Sequence, residues 1–183
     1  MRLYKQTVQD FVLFPGKELS DEEMQELKTA AGEMSAKMRA VRIVAASSVS
    51  KRDLEHRLVQ KGEDPGQAKK AVEWMSQLNL VDDRKTAEQI VQRCISKGYG
   101  LARAKQALYE KRIPKAHWDA VLQDYPEQTQ SIEDYLVAHL KGDTDPKSVK
   151  KAVDALLRRG HSYGVIRRVL DGLAVDTDAF PED

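Results

Sequence analysis

The chain has few of the residues that build several common kinds of protein. It has one cysteine in 183 residues and 6% aromatic residues. It also has no apolar run near the roughly 20 residues that a membrane-spanning helix needs. Cys94 has no partner for a disulfide within the chain, and the first residues lack the apolar region and cleavage site of a secretory signal. We therefore expect a globular protein of the cytoplasm, with no membrane association and Cys94 buried.

Candidate catalytic and metal-binding residues are also scarce. The histidines at positions 56, 117, 139 and 161 have no His or Cys partner at metal-ligand spacing. Asp82 and Asp83 are adjacent, and adjacent helical side chains point apart, so they suit a helix start better than acid and base catalysis. The stretch KGYG at Lys97 has too few glycines for a phosphate-binding loop. The sequence therefore indicates no enzyme, no metal site and no cofactor.

The six prolines are positioned where helices would begin or end. All of them fall between segments of helical periodicity, whereas a proline inside a helix costs ~3 kcal/mol. Helix starts are indicated by SDEE at Ser20, SKRD at Ser50 and SIED at Ser131, because a serine can accept from a backbone amide while a carboxylate bonds back. Asp64 and Asp145 each precede a proline, which is typical of a first helical turn.

Apolar residues between these starts recur at spacings of three and four, as in Ala68, Ala71, Val72 and Met75. No stretch after residue 20 alternates at period two for long enough to predict a strand. We predict an all-α chain from about residue 20 to about residue 173. Only the first 14 residues, which include TVQDFVLF, allow a short extended N-terminal segment.

A similar nine-residue pattern occurs three times in the chain. The copies read LEHRLVQKG from Leu54, AKQALYEKR from Ala104 and AVDALLRRG from Ala152, at offsets of 50 and 48 residues. The alignment continues without gaps into a second helix. A turn of fixed length between the two helices explains this, since one inserted residue would rotate the apolar face of the second helix by ~100° relative to the first. The positions that it brings into register are Leu58, Leu108 and Leu156, then Lys61, Lys111 and Arg159, then Gly62, Arg112 and Gly160, then Ala68, Trp118 and Ile166, then Ala71, Val121 and Val169, and then Val72, Leu122 and Leu170.

A further helix upstream of each pair completes a three-helix repeat. One such repeat has a thin core, so neighbouring repeats are expected to stack into an elongated, curved, solenoid-like array. The predicted organisation is an N-terminal segment at 1–19, a lead-in helix and repeat 1 at 20–83, repeat 2 at 84–127, repeat 3 at 128–173, and an acidic tail at 174–183.

Charge is distributed unevenly over this organisation. Residues 84–127 have nine Lys and Arg against five Asp and Glu, and residues 128–173 have eight against six. Residues 174–183 have four acidic residues and no cation. The basic repeats favour an acidic protein or nucleic acid as partner, and a solvated face is the alternative.

The KGYG stretch and three cationic doublets form a candidate contact surface. Gly98 suits a left-handed helix end and Gly100 a tight helix entry, which would display Tyr99 between cations. The alternative is that Tyr99 packs on the preceding helix. The candidate contact residues are Lys97, Tyr99, Arg103, Lys111, Arg112, Arg158, Arg159, Arg167 and Arg168.

These stretches resemble the RecX family, which regulates the recombinase RecA. The resemblance rests on NLVDDRKTAEQIVQRCISKGYGLARAKQALYEKRI, on SKRDLEHRLVQKG before it and on LLRRGHSYGVIRRVL after it, with GKELSDEEMQEL as lead-in. It spans roughly residues 15 to 173 and depends on spacing as much as on identity. Three positions depart from the family pattern: Asn79 and Arg112 stand where glycine is usual, and Thr86 stands where an aromatic residue is common.

The resemblance implies a cytoplasmic protein that binds RecA and its filament on DNA. It implies inhibition of filament growth, ATP hydrolysis, recombination and coprotease activity, with weak binding of single-stranded or duplex DNA as a further possibility. We expect a monomer. The alternatives are a direct DNA-binding helical protein, which lacks an evident base-reading helix, and a scaffold unrelated to nucleic acid.

Overall fold

The computed structural model of the protein describes residues 3–173, and these residues form ten α-helices and no strand. The prediction of an all-α fold is confirmed. The acidic tail predicted at residues 174–183 lies outside the described residues. In chain order the helices are α1 (Lys5–Asp10), α2 (Asp21–Ala46), α3 (Lys51–Gln60), α4 (Pro65–Gln77), α5 (Asp83–Ser96), α6 (Leu101–Glu110), α7 (Trp118–Leu122), α8 (Thr129–Leu140), α9 (Pro146–Arg158) and α10 (Tyr163–Gly172), with a 3₁₀ turn at Lys115–His117 before α7.

The chain divides into two compact units, Met1–Thr86 and Ala87–Asp183, which we call unit 1 and unit 2. In unit 1, helices α2, α3 and α4 enclose one core around the fully buried Leu54 and Leu58. Unit 2 has two clusters of buried apolar residues. One is formed by α5, α6 and α7 around Leu108, and the other by α8, α9 and α10 around Leu156.

The beginning of unit 1 differs from the prediction in two respects. Residues Lys5–Asp10 form a helix, so this part of the N-terminal segment is not extended. An isolated strand would have no partner among the described residues, whereas α1 buries Thr7 and contacts α2. The lead-in helix and the first helix of repeat 1 are one 26-residue helix, α2. Its only interior glycine, Gly32, costs about 1 kcal/mol, which is too little to end a helix with a continuous buried face.

Most helix starts are formed by the residues that the sequence indicated. Ser20 accepts from the Glu23 amide at 3.1 Å, and the Glu23 carboxylate accepts from the Ser20 amide at 2.8 Å. Ser50 accepts from the Asp53 amide at 3.0 Å, and Asp64 and Asp145 cap the helices that begin with proline. These predictions are confirmed.

The predicted start, with Ser131 as the cap, is wrong by three residues. Helix α8 begins at Thr129, and Gln128 before it has a left-handed backbone with φ 60°. The Gln128 amide group donates to the Ile95 carbonyl at 3.1 Å, and the Ser131 hydroxyl donates to the Gln128 side-chain oxygen at 3.1 Å. A contact with α5, distant in sequence, therefore sets this helix start.

Equivalent positions of the three repeats have equivalent local structure. Leu58, Leu108 and Leu156 are each 0% exposed, and Lys61, Lys111 and Arg159 are the C-terminal caps of α3, α6 and α9. The residues that follow these caps have left-handed backbones, with φ 88° at Gly62, 55° at Arg112 and 88° at Gly160. The elongated, curved array of repeats stays a prediction.

The departures from the family pattern fall on left-handed or buried positions. Asn79 has φ 56° and Arg112 has φ 55°, so each occupies a conformation that glycine adopts more readily. Thr86 is buried, and its hydroxyl donates to the Val49 carbonyl at 3.3 Å within unit 1. Cys94 is buried as expected, and burial raises the pKa of its thiol.

Candidate functional site

The nine predicted contact residues all lie in unit 2, and they differ in exposure. The exposed members of the set are Lys97, Arg112, Arg158 and Arg168, and the half-buried members are Tyr99, Arg103, Lys111, Arg159 and Arg167. The set therefore contains both solvent-exposed and partly buried side chains.

The KGYG turn between α5 and α6 has the geometry that its glycines indicated. Gly98 has φ 63°, and the buried Gly100 is the N-terminal cap of α6. Tyr99 lies between them and is half-buried, with its amide donating to the Cys94 carbonyl at 2.9 Å. The Tyr125 hydroxyl donates to the Tyr99 carbonyl at 2.6 Å, and burial raises the pKa of Tyr125 to about 12. Tyr99 is thus held at the turn by contacts on its backbone.

Arg159 joins the turn after α9 to the KGYG turn. Its guanidinium carbon lies 5.4 Å from the ring centroid of Tyr99 and 5.4 Å from that of Tyr135. One of its nitrogens donates to the Lys97 carbonyl at 3.1 Å. Two cation–π contacts and a charge-assisted hydrogen bond hold the side chain, so Arg159 links repeat 2 to repeat 3 within unit 2.

The two turns also touch through their backbones. The Gly100 amide donates to the Arg159 carbonyl at 3.0 Å, and the Ala102 amide donates to the Gly160 carbonyl at 3.2 Å. A Cβ atom added at Gly100 would collide with the Gly160 backbone, and one added at Gly160 would collide with the backbone of Arg103. The pairing of these turns therefore requires glycine at both positions.

His161 is buried beside this junction, with 5% of its surface exposed. Burial lowers the pKa of its imidazole, and the positive charge of Arg159 lowers it further, while the Gly98 backbone acts in the opposite direction. A neutral ring is thus favoured in the folded protein. His161 occupies the repeat position of Glu63 and of the buried Ile113.

A cleft of about 330 Å³ lies next to the junction, between the starts of α6 and α10. Its lining is mainly apolar and also includes Lys105, Glu127 and His161. Glu127 is paired with Arg168 at 2.7 Å. Such a lining suits contact with an apolar group better than chemical catalysis.

Ion pairs on the surface of unit 2 include the predicted cations Arg103 and Arg168. Arg103 lies 3.3 Å from Glu110, and Arg168 lies 2.7 Å from Glu127. Both pairs are well exposed, so solvent and salt screen them and each adds little stability. These arginines remain accessible to a partner, although a partner's carboxylate would have to compete with the existing one.

The sequence interpretation missed the residues that hold the junction together. Tyr125, Gln128 and Tyr135 were not singled out, yet each contacts the KGYG turn, the end of α5 or Arg159. The available signal was the glycine pair at positions 100 and 160, since glycine is common where two backbones approach closely. Nothing in the helical periodicity indicated which aromatic rings would flank Arg159.

Within residues 3–173 no group of three His, Cys, Asp or Glu side chains is placed to hold a metal ion. None of the helices in this range is long and apolar enough to cross a membrane.

Curated relatives match the chain over most of its length. The regulatory protein RecX of Clostridioides difficile (strain 630) is 25% identical over 177 residues, which cover 93% of this chain and 83% of that protein. The regulatory protein RecX of Chlorobium phaeobacteroides (strain BS1) is 29% identical over 135 residues, which cover 72% of this chain and 89% of that protein. No protein-family model matches the sequence.

Solved structures agree with these relatives. A crystal structure of regulatory protein RecX has a TM-score of 0.71 at 18% identity and covers 92% of this chain and 86% of its own. The crystal structure of RecX from Lactobacillus salivarius has a TM-score of 0.66 at 18% identity, and the match covers 80% of this chain and 99% of that chain. At this identity the likeness shows a shared fold. The resemblance to the RecX family is therefore confirmed in sequence and in fold.

Proposed function

We propose that this chain, which resembles the RecX family in sequence and in fold, is a regulatory protein that binds RecA and its filament on DNA. In this role it mainly inhibits the ATPase, recombinase and coprotease activities of RecA in DNA repair and the SOS response. It works in the cytoplasm as a monomer and performs no catalysis itself. The observation that carries the proposal is the match to a RecX regulatory protein over 93% of the chain.

The contact surface proposed for RecA is the basic turn region of unit 2. Exposed cations at Lys97 and Arg158 belong to the KGYG turn and to the end of α9, and the exposed Arg112 follows the far end of α6. Arg159 is assigned a different role from the other candidates, because its guanidinium is held between two tyrosine rings. It positions the turns that carry the neighbouring cations, and it is not itself the main contact.

Direct binding to DNA is the second candidate function, and the cation excess of residues 84–127 favours it. Phosphate contacts need only accessible cations, which the same turns supply. The two functions differ in salt dependence, because binding through phosphates weakens steeply as salt rises.

The discriminating experiment measures the DNA-dependent ATPase of RecA with substoichiometric amounts of this protein. We expect inhibition, since a protein that binds the filament affects many RecA subunits. The double variant Lys97→Glu and Arg158→Glu should inhibit less than the wild type. Lys28→Glu, an exposed charge reversal on α2 of unit 1, is the matched control and should inhibit normally.

Two results would overturn the proposal. One is an unchanged RecA ATPase rate together with tight, salt-sensitive binding to naked duplex, which would favour the DNA-binding function. The other is an unchanged rate with no binding to either partner.

A further inference from the structure

In each repeat the middle helix has an exposed apolar side chain at its second-to-last position. These residues are Val59 at the end of α3, Tyr109 at the end of α6 and Leu157 at the end of α9, with 40%, 69% and 41% of their surfaces exposed. They are separated by 50 and 48 residues, so they occupy one position of the repeat. Unit 1 contains the first and unit 2 the other two.

This recurrence is not a property of exposed apolar residues in general. Leu101, which is 40% exposed, corresponds to Lys51 in repeat 1 and to the buried Val149 in repeat 3. Leu78 is 50% exposed and corresponds to Gln128 in repeat 2. Single exposed apolar side chains are common on protein surfaces and need no explanation. An explanation is needed when three diverged repeats all have a large apolar residue at the same exposed position.

Packing in the core explains why buried residues recur between the repeats, but it does not fully explain the recurrence of Val59, Tyr109 and Leu157. The neighbouring Leu58, Leu108 and Leu156 recur because each is completely buried in a core cluster. Val59, Tyr109 and Leu157 follow these leucines directly, but between 40% and 69% of their surfaces stays exposed, so burial accounts for only part of each side chain. The exposed part of each side chain is left for a contact outside the folded chain.

The surroundings of this position indicate a protein as the partner. Cations follow each of these residues within three positions of the chain, namely Lys61 after Val59, Lys111 and Arg112 after Tyr109, and Arg158 after Leu157. An apolar centre bordered by charged residues is the usual composition of a protein–protein contact. The sugar–phosphate backbone of nucleic acid would engage the cations but would give an aliphatic side chain no comparable contact.

We propose that Val59, Tyr109 and Leu157 are apolar anchors through which the repeats contact RecA. This inference rests on the proposed function and adds the residues and the chemistry of the contact. Each anchor enters an apolar site on RecA, and the cations beside it face RecA carboxylates. Because a filament presents the same RecA surface many times, one protein with three similar anchors can engage it more than once, which raises the overall affinity.

The test compares alanine variants in the RecA ATPase assay and in direct binding to RecA. Alanine truncates the anchor without loss of helix propensity. Combining Val59→Ala, Tyr109→Ala and Leu157→Ala should raise the concentration for half-inhibition roughly tenfold or more, and Tyr109→Ala alone should have the largest single effect. Val137→Ala is the matched control, since Val137 is 57% exposed on α8 but lies at a different position of the repeat. Thermal unfolding and circular dichroism of every variant should match the wild type.

Each outcome decides between the possibilities. Weaker inhibition by the anchor variants with a normal control, at low and at high salt, supports the inference. Wild-type inhibition by the triple variant would overturn the inference but leave the proposed function standing. A parallel loss of binding to a labelled oligonucleotide without RecA would assign the anchors to nucleic acid and reject them as RecA contacts. If the wild type itself has no effect on RecA, the proposed function fails, and the anchor inference fails with it.

Discussion

At the scale of single residues, the turn after each middle helix shows one clear exception to its pattern. Gly62, Arg112 and Gly160 all have left-handed backbones, but only Arg112 has a side chain. A Cβ atom in this conformation costs about 1–2 kcal/mol. Since Arg112 is also exposed on the proposed contact surface, a strained residue kept for binding is the natural interpretation.

Replacing Arg112 with glycine should therefore stabilise the protein while weakening its regulatory activity. We expect the free energy of unfolding to rise by about 1 kcal/mol, because glycine adopts the left-handed backbone without steric cost. Arg112→Ala is the control, since it removes the same side-chain contacts but keeps the Cβ atom. Urea unfolding measures the stability of the two variants. If both unfold at the same urea concentration, backbone strain at this position is negligible.

His161 predicts how the stability of unit 2 depends on pH. Its pKa is lowered in the folded protein mainly by burial, so the unfolded chain binds the proton more readily. The stability from the neutral ring is complete above the unfolded pKa of about 6.5 and is lost as pH falls toward the lower folded value. His161→Ile, which places the repeat 2 residue in repeat 3, should reduce this loss. The measurement is thermal unfolding of both proteins between neutral and mildly acidic pH, and equal pH dependence would contradict the assignment.

At the scale of helices and turns, sequence patterns predicted local structure better than contacts between repeats. Ser20, Ser50 and Asp64 cap helices as expected because a cap depends only on residues within one turn. The start of α8 was misplaced because Gln128 bonds to Ile95, which is 33 residues away. The stacking of Arg159 was missed for the same reason, since its partners come from two other segments of the chain. Its place in a cationic doublet at a repeat turn made it a candidate contact residue.

Because two turns approach closely in unit 2, Gly160 should tolerate substitution by alanine far less well than Gly62, its counterpart in unit 1. Gly160→Ala should lower the free energy of unfolding by about 3 kcal/mol or more. The new Cβ atom would collide with the Arg103 backbone, and alanine would also be strained in the left-handed conformation. Gly62→Ala, at the same repeat position in unit 1, should cost only about 1–2 kcal/mol, because nothing lies within 4 Å of its Cβ position. Chemical denaturation of both variants tests the difference. Equal losses would show that the turn contact yields at little cost.

At the scale of the whole molecule, charge separates the basic repeats from the acidic C-terminal residues. Residues 84–173 contain the cation excess, and residues 174–183 have four carboxylates and no cation. This asymmetry was readable from composition because net charge does not depend on contacts. The boundary between the two units, after Thr86, lies three residues from the predicted end of repeat 1 at residue 83. The grouping of repeats 2 and 3 into one unit was not predicted, because it depends on contacts such as those of Arg159 that the helical pattern does not show.

Removing residues 174–183 raises the formal net charge of the chain from +1 to +5, because four carboxylates are lost and no cation is. Long-range attraction to an acidic partner or to DNA should increase, so association with the RecA filament should become faster at low salt. The gain should disappear at high salt, where the Debye length falls to about 3 Å near 1 M. A full-length variant with Asn or Gln at these four acidic positions should behave like the truncation. If the truncation alone changes binding, or if the change persists at high salt, the segment acts through direct contacts and not through its charge.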